Sequence, residues 1–148
     1  MKRTKVGFTG TQQGMNTYYQ LPQLEQLLLK YNPTEFHHGD CIGADAQAHE
    51  LVRRILPSCI IVVHPPLDSS KRAFCMGDIT YNPRPYLERN DDIVKLSDIL
   101  IATPKEIQMV LRSGTWTTVR YAQKAKLQTH IIFPRALTEQ EATNVFPV

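Results

Sequence analysis

Cysteine is scarce in this chain. There are three among 148 residues, Cys41, Cys59 and Cys75, an odd number with no C-x-x-C pair. That argues against a disulfide framework or a cysteine zinc site, and it fits a reducing cytoplasm. No apolar run approaches the roughly 18 residues of a membrane span, so no membrane partner is expected. The basic start, Met1-Lys2-Arg3-Thr4-Lys5, leads into a very short apolar stretch that soon meets Gly10, which reads as no signal peptide. Excess charge is lacking too. Seventeen basic residues against 14 acidic leave +3, too mild by itself to indicate nucleic acid. Repeats and low-complexity stretches are missing. So are a Walker loop, an H-E-x-x-H pair, a Ser-His-Asp order and the G-x-G-x-x-G fingerprint. What remains is ordinary globular usage, 42% hydrophobic and 21% charged, which argues against disorder. The length predicts a single domain over 1–148, large enough to bury a core without staples.

Strands and helices alternate along the chain. Val6-Gly7-Phe8-Thr9 reads as a short strand, Glu35-Phe36-His37-His38 as a weak one, and Ile60-Ile61-Val62-Val63 as a strand buried on both faces. Asp98 to Ala102 and His130 to Phe133 complete five. Between them, Leu21, Leu24, Leu28 and Tyr31 fall at helical spacing, as do Ala44, Ala48, Leu51, Val52 and Ile55. Tyr86 to Ser97 and Gly114 to Lys126 read as further helices, and Thr138 with Glu141 has capping-box spacing. The expected fold is α/β: a doubly wound, Rossmann-like three-layer sandwich around a parallel sheet of about five strands. In that architecture ligands sit beyond the carboxyl ends of the strands.

The residues found there suit an anion. After the first strand, Gly10 and Thr11 open a glycine-containing turn whose N–H groups can approach a ligand. After the second comes His38-Gly39-Asp40-Cys41-Ile42-Gly43-Ala44-Asp45. There Gly39, Gly43 and Ala44 lie at a helix start, and Asp40 is placed either to cap that helix or to accept a ribose hydroxyl. Asp45 suits the first turn electrostatically. His37 and His38 read as structural or rim residues. Asp45 and His49, four apart, supply only two ligands, so no metal is expected. The Pro-rich stretch Pro65 to Pro85 is long enough to be a lid or a solvated loop, and its Lys71, Arg72 and Arg84 are candidates to meet phosphate. Asn90 shares a stripe with Leu87 and Val94 and should point inward. Arg89 either pairs with Asp92 or reaches the cleft as a phosphate fork. Arg112-Ser113-Gly114-Thr115-Trp116-Thr117-Thr118 is the most informative stretch. Ser113 alone reads as an N-cap, but Ser113, Gly114, Thr115 and Thr118 beside a basic residue read as an anion seat.

Taken in order, Glu88-Arg89-Asn90, Asp98-Ile99-Leu100-Ile101-Ala102 and Ser113-Gly114-Thr115 resemble the SLOG superfamily of Rossmann-like nucleotide-binding domains. That superfamily includes lonely-guy phosphoribohydrolases, molybdenum-cofactor-carrier-like proteins, the core of DNA-processing protein A and YspA-like members. The resemblance spans Val6 to about Phe133, and the second loop, His38 to Ala46, looks like the DNA-processing and YspA-like branches. It implies a phosphate site at Gly114-Thr115, ribose or base contacts from the first two loops, and self-association into a homo-oligomer. Arg89 matches a catalytic Arg of the lonely-guy enzymes. Their catalytic Glu falls at Thr118, and Leu111-Arg112-Ser113 stands where they have proline–glycine–glycine. A hydroxyl cannot do a carboxylate's work as base or oxocarbenium stabiliser at neutral pH.

Three functions follow from these residues. The first is a cytoplasmic module that binds a nucleotide or nucleotide-derived ligand and does no chemistry. The second is a nucleoside-monophosphate N-glycosidase in which Asp40 or Asp45 replaces the missing carboxylate. The third is a single-stranded DNA binder, with Trp116 and the tyrosines stacking on bases. Whether a reaction is catalysed stays open at this point. Catalytic residues are unassigned, and no cofactor is called for.

Overall fold

The chain is described by a computed structural model over residues 3–147; Met1 and Lys2, part of the basic start, lie outside the described residues. Among the described residues six strands form one sheet: β1 (Lys5–Gly10), β2 (Glu35–His38), β3 (Ile60–Val63), β4 (Ile79–Thr80), β5 (Ile99–Thr103) and β6 (Gln128–Ile131). Their spatial order is β4-β3-β2-β1-β5-β6, and every pairing is parallel. The helices are α1 (Gln20–Tyr31), α2 (Ala44–Ile55), α3 (Tyr86–Lys95), α4 (Gly114–Lys124) and α5 (Glu139–Thr143).

Two apolar layers explain the sandwich. Leu24 and Leu28 of α1, with Ala48, Leu51 and Val52 of α2, pack on Val6, Phe8, Phe36, Ile61 and Ile101. On the other face Val94 of α3 and Trp116, Val119 and Ala122 of α4 pack on Leu100 and Ala102. Alternation along β5 therefore feeds both cores, as a strand buried on both sides requires. The chain winds outward from β1 through β2 and β3 to β4, then returns to place β5 on the other side of β1. The carboxyl ends of β1 and β5 thus flank the switch point, where the crevice of an open parallel sheet lies.

The elements differ from the expectation in several places, among them the end of α4, which stops at Lys124. A sixth strand, β4, lies inside the Pro-rich stretch; two residues are too few to show a period. Asp78 sets its register by accepting from the Ile61 N–H at 2.8 Å. β6 begins at Gln128, two residues before the expected His130, and Ile132 leaves the strand while still bonding to the Ala102 carbonyl. α3 stops at Lys95, where the following turn lets the Ser97 hydroxyl donate to the Ile93 carbonyl at 2.6 Å.

Candidate functional site

A cleft of about 710 Å³ opens at this switch point. Of the residues expected there, Gly10, Thr11, Asp45, Arg89, Asn90, Ser113, Gly114 and Thr115 line it. Gly39, Asp40, Gly43, Ala44 and Thr118 do not. The reasons are local.

The β1–α1 turn folds back onto the start of α2. The Thr11 carbonyl accepts from Ala44 N–H at 2.9 Å, so the first free donor of α2 is taken by the protein's own backbone. Gly43 makes that possible. Its φ is +92°, and a Cβ there would lie 2.3 Å from the Gln12 carbonyl oxygen. Gly43 and Ala44 therefore serve loop-to-loop packing and present no anion site. Gly10 is needed for a similar approach, since a Cβ would lie 2.5 Å from Ala44 Cβ.

Asp40 is fully buried and its side chain is committed. It accepts from Arg72 Nε at 2.8 Å and from the Cys75 N–H at 2.8 Å, while its carbonyl accepts from the Ala73 N–H at 2.7 Å. It neither caps α2 nor offers a lone pair to a ribose. It anchors residues 65–85, which are thereby held as an ordered flap with a 3₁₀ turn at Ser69–Lys71. Arg72 is spent on Asp40, and Arg84 pairs with Asp92 and Glu88. Of the three basic residues of that stretch, only Lys71 lines the cleft.

Arg89 does not pair with Asp92. Its guanidinium runs beneath the second loop, donating to the Gly39 carbonyl at 3.0 Å and lying 3.5 Å from the Cys41 sulfur. Gly39 matters because a Cβ would fall 1.6 Å from Arg89 Nη1. Asn90 points inward beside Val94, although Leu87 of the expected stripe is exposed. Asp45, Arg89 and Asn90 are each 4% exposed. Asp45 Oδ1, Arg89 Nε and Asn90 Nδ2 are all buried without a protein hydrogen-bond partner. Asp45 Oδ2 accepts from the Cys41 N–H at 3.1 Å. Burial pushes the Asp45 carboxyl up to about 6 against the pull of the Arg89 guanidinium, and burial likewise pushes the Cys41 thiol up to about 11.

At the start of α4 the Ser113 hydroxyl is the N-cap, accepting from Trp116 N–H at 3.3 Å. Thr118 is fully buried and turns away, donating to the Gly114 carbonyl at 2.8 Å, so it supplies no ligand hydroxyl. Trp116 is also fully buried, with Nε1 donating to Glu106 at 2.9 Å, and it packs edge-on to Phe146. It is core, and the base-stacking role is excluded. Lys105 and Arg112 join Lys71 around the cleft.

Tyr86 was not anticipated. Its ring lies over the Arg89 guanidinium at 4.9 Å, and a Cβ on Gly114 would meet its hydroxyl at 1.3 Å. It therefore bridges the α4 start and the Arg89–Asn90 pair. The signal was present: Tyr86, Arg89 and Asn90 stand at i, i+3 and i+4 on one helix face. Cys41 was missed because a lone buried cysteine carries no pattern.

His38 and His49, with Cys75, bring three ligand-type atoms within 4.8 Å of one another. Their hydrogen bonding already uses the geometry. Asp40 N–H donates to His38 Nδ1 at 2.9 Å, which places the ring proton on Nε2, and Nε2 donates to His49 Nδ1 at 2.9 Å. A metal on Nε2 would require the His38 ring proton to move to Nδ1, which would break the bond from the Asp40 N–H, or to leave altogether as the ring becomes an imidazolate.

No family model and no curated protein matches the chain. Among solved structures, the molybdenum cofactor binding protein of the phototrophic bacterium Rippkaea orientalis superposes with a TM-score of 0.69 at 20% identity. That match covers 97% of this chain and 83% of that one. The protein TM1055 superposes with a TM-score of 0.57 at 16% identity, covering 85% of this chain and 72% of that one. At such identities the likeness is one of fold, a Rossmann-like α/β sandwich. Among the described residues no helix is long and apolar enough to cross a membrane.

Proposed function

We propose that this chain is a single SLOG-type domain that binds a nucleotide or nucleotide-derived small molecule, with the ligand's phosphate at the Ser113-Gly114-Thr115 start of α4. The observation that carries the reading is convergence. The first N–H groups of α4 have no partner inside the helix, they face the switch-point cleft, and Lys71, Lys105 and Arg112 line the same cleft. The partial positive charge of the helix start adds to theirs. The Rippkaea orientalis neighbour, by its description a cofactor-binding protein, supports a small-molecule ligand on this fold. A cytoplasmic setting and self-association belong to the same reading. Leu87 and Leu111, 55% and 72% exposed, are apolar surface that a second copy would cover.

Titration calorimetry with nucleosides and their 5′-mono-, di- and triphosphates tests it. Phosphorylated ligands are expected to bind at least tenfold tighter than nucleosides. Thr115→Asp should abolish that advantage, because a carboxylate in the first turn suits the helix dipole but repels phosphate. Equal affinity for nucleosides and nucleotides, or no binding across the panel, overturns the reading.

A second reading rests on Asp45. With Asp40 committed to Arg72, Asp45 is the carboxylate beside Arg89 with a free oxygen and a pKa lifted toward neutrality. It has the character of a general base for water attacking the anomeric carbon of a nucleoside monophosphate. Release of free base on prolonged incubation would establish this reading. A bound nucleotide recovered intact removes it.

A further inference from the structure

We propose that Glu106 selects the base of the bound nucleotide by accepting a hydrogen bond from an exocyclic amino group, the 6-amino of adenine or the 4-amino of cytosine. This deepens the nucleotide-binding reading and rests on it.

The rim of the cleft is cationic, and Glu106 stands against that trend. Lys71, Lys105 and Arg112 line it, and Glu106 lines it with them from the loop between β5 and α4. Among the described residues no Lys or Arg pairs with Glu106. The core holds it instead. Trp116 is fully buried, and its indole N–H donates to Glu106 Oε1 at 2.9 Å. A buried indole needs an acceptor, and that need accounts for Oε1. It does not account for a carboxylate. A backbone carbonyl or a neutral amide would serve the indole without placing negative charge beside an anion seat. Oε2 is the remainder. It accepts no hydrogen bond from the described residues, and it is not one of the buried polar atoms that lack a partner. Glu106 is half-buried, so Oε2 is open to the cleft. Its loop is pinned from three sides. Met109 N–H donates to the Val145 carbonyl at 2.8 Å, Gln108 Nε2 to the Asn144 carbonyl at 3.0 Å, and Arg120 Nη2 to the Leu111 carbonyl at 3.0 Å. An acceptor tied to a core side chain and set in a pinned loop is preorganised.

One open oxygen takes one N–H. Guanine presents two parallel N–H groups, which call for both oxygens of a carboxylate, and Oε1 is spent on the indole. Adenine and cytosine present an amino group beside a bare ring nitrogen, and one amino hydrogen suits Oε2. Hypoxanthine and uracil place a carbonyl at that position, which a carboxylate repels. A divalent cation on Oε2 would add positive charge to a rim that already gathers Lys71, Lys105 and Arg112. Placement agrees with chemistry. Trp116 lies in the first turn of α4, so Glu106 stands one indole and one hydrogen bond from the proposed phosphate seat. Pro66, Leu67 and Val110 line the same cleft and supply apolar surface for the flat faces of a base.

Calorimetry on the intact chain tests the proposal with two pairs of 5′-monophosphates, adenosine against inosine and cytidine against uridine, each with magnesium and with EDTA. In the tighter-binding pair the amino member is expected to bind about 10- to 100-fold better, the range for a hydrogen bond to a charged group, and to do so in EDTA. Glu106→Gln keeps an acceptor for the indole and turns the cleft-facing atom into a donor. It should reverse the preference toward the carbonyl member. Trp116 is the only tryptophan in the chain, so its indole N–H resonance reads Glu106 directly. The amino nucleotide should shift that resonance further than the carbonyl nucleotide, which carries the test if Glu106→Gln fails to fold. Equal affinities within both pairs overturn the base assignment and leave the nucleotide site standing. So do a preference that survives Glu106→Gln and equal shifts of the indole resonance. Binding that requires magnesium overturns it in favour of a metal on Oε2. Absence of binding by any of the four nucleotides overturns both readings.

Discussion

Asp40, in the β2–α2 loop, and Asp45, five residues on in the first turn of α2, do opposite work because their neighbours differ. Asp40 adopts a left-handed φ of 55°, a conformation Asp and Asn tolerate. That turns its carboxylate toward the flap, where Arg72 and the Cys75 N–H receive it. Asp45 is helical, points at the cleft, and keeps one oxygen unpartnered. Asp40→Asn preserves the backbone conformation and one acceptor but deletes the charge that holds Arg72. The expected loss is about 1.5–3 kcal/mol of stability, the worth of a hydrogen bond to a charged group. Limited proteolysis should then cut within residues 65–85 well before the rest of the chain. A cleavage pattern identical to that of the parent would show that the flap is held by something else. A sequence read in order could not separate the two aspartates. The partner of Asp40, Arg72, lies 32 residues away and nothing in their spacing joins them. Asn90 was legible through its helical spacing from buried Val94, although Leu87, the other residue of the expected stripe, lies at the surface. Arg89 was not, because a helix position admits both a surface pair with Asp92 and a reach beneath Gly39.

At the scale of elements, periodicity carried the long helices and the β-branched strand β3, whose four residues are the stretch Ile60–Val63. It could not carry β4, whose two residues are set by the Asp78–Ile61 bond rather than by any pattern of their own. Nor could it show that the starts of α2 and α4 differ, since both read as glycine at a helix N-terminus. The difference is tertiary. At α2 the Thr11 carbonyl occupies Ala44 N–H, whereas at α4 the first turn faces the cleft. Gly43 is the pivot of that arrangement. Gly43→Ala meets both a positive φ that side chains avoid and the Gln12 carbonyl at 2.3 Å. A destabilisation of at least about 2 kcal/mol is expected, read as a lowered urea midpoint. If the variant stays soluble, affinity for the proposed nucleotide should fall too, because Thr11 and the Gln12–Gln13 turn line the cleft. The analogous change at an exposed site would cost little, so an unchanged midpoint would mean that the two loops separate freely.

For the whole molecule, the histidines make the half of the sheet around β2 and β3 sensitive to acid. His37 Nε2 bonds Glu35 at 2.8 Å and its Nδ1 lies 2.9 Å from His64 Nε2. His38 joins Asp40 to His49, and Tyr81 stacks edge-on against His64. In this arrangement His37 Nδ1 and His38 Nδ1 act as acceptors, so a second ring proton breaks a bond as well as placing charge in the interior. Burial lowers all four pKa values, that of His64 to about 3 and that of His38 well below its ordinary value. The unfolded chain therefore binds protons below about pH 6.5 that the folded chain refuses. Stability is full above that pH and falls as pH drops, by about 1.4 kcal/mol per pH unit for each ring held neutral. Asp45 works the other way. Its carboxyl, pushed up to about 6, takes a proton in the folded state first and offsets one ring between about pH 6 and pH 4. Urea midpoints measured from pH 7.5 to pH 5 should fall steeply, and His64→Gln should flatten the slope by close to one proton. A slope of zero, or stability that rises on acidification, would mean that these rings are charged in the fold. Because His38 holds Asp40 and Asp40 holds the flap, residues 65–85 should be released first. Protease sensitivity there should rise at a higher pH than global unfolding.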